Sequence, residues 1–122
     1  MSIRIVRFGD RRRRGEGLRV GTVRFPPRGL PKGSLYDTWL PELAPSRELV
    51  RGGRDGSIPW RQFERRYRAE MKAPESRHLL ALLAALSHRT NLSVGCYCAD
   101  EQQCHRSILR VLLMKEGAEV VA

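Results

Sequence analysis

Residues 91–115 read NLSVGCYCADEQQCHRSILRVLLMK, and their order decides the fold. Asn91 to Tyr97 alternates like a strand, with Leu92, Val94, Cys96 and Cys98 on one face because side chains repeat every second residue. A polar turn follows. From about His105 to Lys115 the apolar residues Ile108, Leu109, Leu112 and Leu113 recur at helical spacing, and Gly117 provides a stop signal. A strand running through a turn into a helix that packs back on it is the unit of a parallel sheet. Ala118 to Val121 reads as a short final strand.

Upstream, Ile3–Phe8 and Leu18–Phe25 read as two more strands, the second ended by Pro26-Pro27, which cannot continue a ladder. Residues 28–46 carry prolines and glycines without a period and read as a long ordered loop holding at most short turns. Ser46 is placed to cap a short helix through Val50, with Gly52, Gly53 and Gly56 marking a mobile turn. Pro59 opens a helix to about Met71, whose apolar stripe is Trp60, Phe63, Tyr67 and Met71. Another helix starts near Pro74 and is expected to bury Leu79, Leu82, Leu83 and Leu86. The order β-β-loop-α-α-β-α-β predicts a single small α/β domain spanning residues 1–122, a mostly parallel sheet with helices packed on it. Residues 10–17 read as a flexible basic turn.

The 122 residues suit one core, and an apolar content of 41% is enough to form it. The longest apolar run, Leu79–Leu86, is too short to cross a bilayer, the N-terminus lacks a signal-peptide run, and three cysteines do not make a secreted disulfide framework. A cytoplasmic protein without a membrane partner is the expectation. The net charge is +10, and of 23 basic residues only Lys32, Lys72 and Lys115 are lysine. Arginine suits bidentate recognition of phosphate and carboxylate, although a coding bias toward arginine would give the same composition.

The densest chemistry lies between Cys96 and Ser107. Ligands of open α/β sheets gather beyond the carboxyl ends of strands, and helix N-termini offer free amide donors there. Cys104, followed by His105 and Arg106, is a candidate thiolate nucleophile, with His105 as its partner. Arg24, Arg28 and Arg106 are the expected anion-binding groups. Lys32, Tyr36, Asp37, Trp39 and Cys98 are expected to line the same pocket. Cys96 reads as a small buried core residue. The expected ligand is a small anion or phosphate ester, and no cofactor is expected. Asp100 and Glu101 are placed to serve as acid or base near Cys104.

Two alternatives stand beside this reading. Cys98, Cys104 and His105, with Cys96, offer metal ligands, but the spacing lacks paired Cys-x2-4-Cys knuckles. Arg11–Arg14 with Arg4, Arg7 and Arg19, or Arg61, Arg65 and Arg68, would contact phosphates in a non-specific nucleic-acid-binding module. The Cys104–Arg110 spacing of tyrosine-phosphatase loops is rejected, because Ile108 and Leu109 belong to a buried helical stripe.

The blocks Gly21-Thr22-Val23-Arg24-Phe25-Pro26-Pro27-Arg28-Gly29, Trp39-Leu40-Pro41-Glu42-Leu43-Ala44-Pro45-Ser46 and Phe63-Glu64-Arg65-Arg66-Tyr67 resemble the YeaO-like branch of the domain-of-unknown-function family numbered 488. Cys104-His105-Arg106 is similar to the signature of that family's other branch. The resemblance implies an α/β fold with a pocket where these segments meet, and no established activity. The chain departs from the branch at Val23 and Phe25-Pro26, where an Asp before the arginine and a Trp before the proline are usual.

Overall fold

The computed structural model describes residues 1–26, 35–98 and 103–121. Its centre is the strand Leu92–Cys96, buried at every position because neighbours flank both its edges and side chains cover both its faces. In chain order the strands are β1 (Ile3–Arg7), β2 (Leu18–Gly21), β3 (Thr38–Trp39) and β4 (Leu92–Cys96). The spatial order is β1-β4-β2-β3 and every pairing is parallel. Ile3 pairs with Leu92 and Leu18 pairs with Leu92 from the other side, so all four strands end at one edge of the sheet.

Gly95 shows why that strand must be small near its end. A Cβ there would sit 2.6 Å from the carbonyl oxygen of Val6 and 2.7 Å from its side chain. Ile3, Val20, Leu92 and Val94 form the helix-facing side of the sheet and pack with Leu49, Phe63, Tyr67, Leu83, Ile108 and Leu109 into the main core. The helices supplying them are α1 (Arg47–Asp55), α2 (Trp60–Glu70), α3 (Pro74–Ser87) and α4 (His105–Lys115). The expected single, parallel α/β domain is what the chain forms.

Several elements differ from their sequence reading for identifiable reasons. β2 ends at Gly21 rather than Phe25, since the chain is drawn off the sheet by the Trp39 indole, which donates to the Val23 carbonyl at 2.7 Å. The long loop contains β3 and a 3-10 turn, Pro41–Leu43. Ser46 does cap α1, accepting from Leu49 N, but the helix runs on through Gly52 and Gly53. Those glycines are not a turn. They let Ile58 and Phe63 lie against the helix, where a Cβ would approach Ile58 Cδ1 at 2.2 Å and Phe63 Cδ2 at 3.1 Å. The stop is Gly56 alone, at φ +82°, which favours glycine.

In α3 the buried stripe is Ser76, Leu80, Leu83, Ala84 and Ser87, while Leu82 and Leu86 are exposed. Two serines face inward because their hydroxyls are used: Ser76 donates to the Glu42 carbonyl at 2.7 Å, and Ser87 donates to the Ala84 carbonyl and accepts from Glu119 N. The expected last strand is a single parallel bridge, Ile3 with Val120. The basic turn is tied to the body: Asn91 Nδ2 donates to the Gly15 carbonyl and Arg12 pairs with Asp37.

Candidate functional site

The common C-terminal edge of the strands is where β2 delivers Thr22, β4 delivers Cys96 and Cys98, and α4 begins with Cys104 as its N-cap. Three short runs of chain therefore meet at one place, as parallel-sheet topology requires.

His105 is buried in the first turn of α4 and bonded on both sides. Its Nε2 lies 3.1 Å from Thr22 Oγ1, and that hydroxyl donates its proton to the Gly95 carbonyl at 3.0 Å. Having one proton to give, the hydroxyl accepts from the ring, so the hydrogen sits on Nε2. Nδ1 is then the acceptor, and Cys104 Sγ lies 3.6 Å from it. Tyr67 holds the ring from the other direction, edge-on at 5.6 Å between centroids. The Tyr67 hydroxyl donates to the Leu43 carbonyl at 2.7 Å, and burial raises its pKa well above the ordinary value, so it stays a neutral prop.

The three thiols are not equivalent. Cys96 and Cys104 are buried, Cys98 is exposed, and the Cys96 and Cys98 sulfurs are 3.5 Å apart. Hydrogen bonds from Cys96 first and then Cys98 hold the Cys104 thiol below its ordinary value against the opposing effect of burial. The same arrangement pushes Cys96 and Cys98 up, in both cases foremost through their bond to Cys104. The opposite directions of these shifts make Cys104 the most acidic of the three thiols.

Cys104 and His105 form one wall of a cleft of about 330 Å³. Its remaining lining is mostly apolar, with Val23, Phe25, Val50, Ile58, Trp60 and Phe63, and its cations are Arg24 and Arg54. The Arg24 guanidinium is largely committed: Nε donates to Pro45 O at 2.9 Å and Nη2 to Pro41 O at 3.0 Å, which straps the 3-10 turn to the sheet edge. Arg54, exposed in the last turn of α1, has no ion pair among the described residues.

Arg106 does not enter this cleft. It is buried and turned to the other side, with Nη1 on the Val6 carbonyl and Nη2 on the Cys98 carbonyl. Of the expected lining residues, Cys98 is present, whereas Tyr36, Asp37 and Trp39 lie apart. Tyr36 packs on Phe8, Asp37 accepts from Arg12 and Arg19 N, and Trp39 anchors Val23. Arg28, Lys32, Asp100 and Glu101 lie outside the described residues.

Cys96 Sγ, Cys104 Sγ and a ring nitrogen of His105 all lie within 4.8 Å of one another. Cys98 also bonds Cys104, but the cluster that includes the His105 ring takes Cys96 as its other sulfur. Cys96 is a core residue and a member of the site together. Thr22 had no signal beyond a polar side chain on a strand face, and Arg54 none beyond its helix position.

Residues 3–117 match the family DUF488-N3a, described as the active DUF488-N3 subclade. The chain belongs to this family. The matched residues include Cys104, His105 and Thr22 at the sheet edge. Neither a curated protein nor a solved structure matches the DUF488-N3a chain. No helix among its described residues is long and apolar enough to cross a membrane.

Proposed function

We propose that this DUF488-N3a protein is an enzyme that uses Cys104 as a nucleophile on a small anionic substrate with an apolar body. The observation that carries the reading is the Cys104 Sγ to His105 Nδ1 approach of 3.6 Å, with the far side of the ring fixed by Thr22. In such a pair the imidazole takes the thiol proton and passes it to the group that the sulfur displaces. Water then attacks the sulfur-bound atom, gives its proton to the imidazole and releases the sulfur, which takes that proton back. The apolar lining suits the substrate's body, and Arg54 with the uncommitted Nη1 of Arg24 suits its charge. The description of the subclade as active supports a catalytic role.

The test is alkylation of each cysteine against pH in metal-stripped protein, with sites mapped by mass spectrometry. Cys104 is expected to react with a midpoint well below about 8.5, the ordinary thiol value. Thr22→Val, which removes the acceptor for Nε2–H, should move that midpoint upward, and Thr22→Ser should restore it. A Cys104 that titrates as an ordinary thiol removes nucleophilic catalysis.

A second reading rests on the 4.8 Å cluster of Cys96, Cys104 and His105. Zinc bonds of about 2.3 Å to sulfur and about 2.0 Å to nitrogen bring such ligand atoms to roughly 3.6 Å apart around a tetrahedral ion. Thr22 would be the outer partner of the ligating imidazole. One zinc per chain, retained through dialysis and lost in Cys96→Ala, would favour this reading over the free thiolate.

A further inference from the structure

A second cavity, of about 470 Å³, lies on the other side of residues 104–106 and is lined by seven arginines and two carboxylates. Arg4 and Arg7 come from β1, Arg11 and Arg13 from the loop after it, and Arg106 from α4. One of the carboxylates is spent, because Glu16 accepts from both Nε and Nη2 of Arg19. Arg4, Arg7, Arg11 and Arg13 have no carboxylate partner among the described residues. Like charges of these four arginines thus converge without an ion pair among the described residues.

Arg106 sharpens the point. It is 3% exposed, its Nη atoms are bonded to two carbonyls, and its Nε has no hydrogen-bond partner. A buried guanidinium in no ion pair with a described carboxylate, with one donor unmet, has given up water without full compensation. The lining holds no aromatic side chain, so it offers no aromatic platform for a base. Positive charge dominates the lining of this cavity.

We propose that the cavity binds a run of consecutive phosphates, either the polyphosphate of a nucleotide or the backbone of a nucleic-acid strand. Arginines clustered about a concave surface engage successive phosphate groups through paired N–H donors, and each contact releases a counter-ion, so affinity falls steeply with salt. This site is separate from the Cys104 cleft. It goes beyond the reaction proposed above and does not depend on it.

The experiment titrates the full chain with inorganic tripolyphosphate and with a fluorescent 12-nucleotide single strand, from 50 to 200 mM salt. Both Arg4→Gln/Arg7→Gln and the α2-face variant Arg61→Gln/Arg65→Gln/Arg68→Gln are compared with the parent. The cavity variant should bind at least tenfold more weakly, and its salt slope should drop by about two, one per phosphate contact removed. The α2 variant should stay near the parent despite losing more charge. Arg4→Lys/Arg7→Lys should retain most of the slope, which separates lost charge from misfolding. Tighter binding of tripolyphosphate assigns the site to a nucleotide tail, and tighter binding of the strand assigns it to a nucleic-acid backbone. Absence of binding to both probes at 50 mM salt overturns the proposal. So does an α2 variant that weakens binding as much as the cavity variant, since the effect would then be bulk charge.

Discussion

Glu16 is a carboxylate 6% exposed that accepts hydrogen bonds from the Arg19 guanidinium, Ser93 Oγ and Arg13 N. The Arg19 bond above all lowers its pKa from 4.5 to about 2. A carboxyl depressed on folding contributes stability that is complete above the unfolded value and lost as pH falls through the folded one. The protein should therefore lose stability between about pH 4.5 and pH 2. Urea unfolding of parent and Glu16→Gln at pH 7 and pH 3 checks this. The variant should be less stable at pH 7 by about 3–5 kcal/mol, since Arg19 is left buried without its counter-charge, and its stability should depend less on pH. An acid limb of equal steepness in both proteins would assign the acid loss to other carboxylates. At this scale the sequence was legible in kind and not in use. Cys104 and His105 were readable from their spacing, but nothing local showed that Arg24 and Arg106 would donate to backbone carbonyls rather than face a common ligand.

At the scale of elements, α4 and α2 read correctly because each has one uninterrupted apolar stripe. The Phe63, Tyr67 and Met71 stripe is buried as its period requires. α3 misleads because apolar residues surround its axis, so periodicity cannot choose a face. The choice is made by Ser76 and Ser87, whose hydroxyls find carbonyls 34 and 3 residues away in sequence. A pair of truncations measures the result. Leu83→Ala, at 3% exposure, should cost about 2–5 kcal/mol of unfolding free energy through lost burial and the cavity left behind. Leu82→Ala, at 53% exposure one residue away, should change stability by no more than about 0.5 kcal/mol. Thermal or urea denaturation of both decides. Equal losses would mean that the leucine face, not the serine face, is the packed one.

For the whole molecule, the parallel architecture was legible from one strand–turn–helix unit, whereas the site was only half so. Its members stand at positions 22, 96 and 104–105 and meet only after β2, β4 and α4 have docked. That dependence gives a consequence for the three thiols. Cys96 is buried at the end of the central strand, where it pairs with Arg7 of β1. Its alkylation should require opening of the sheet, at a free energy close to that of global unfolding. Cys98, exposed just beyond the strand, should react in the native state. In a urea series the logarithm of the Cys96 labelling rate should rise with the slope of the unfolding free energy, while the Cys98 rate stays nearly flat. If Cys96 labels under native conditions as readily as Cys98, the end of β4 opens by itself. The Cys104–His105–Thr22 arrangement would then be held by α4 and β2 rather than by the closed sheet.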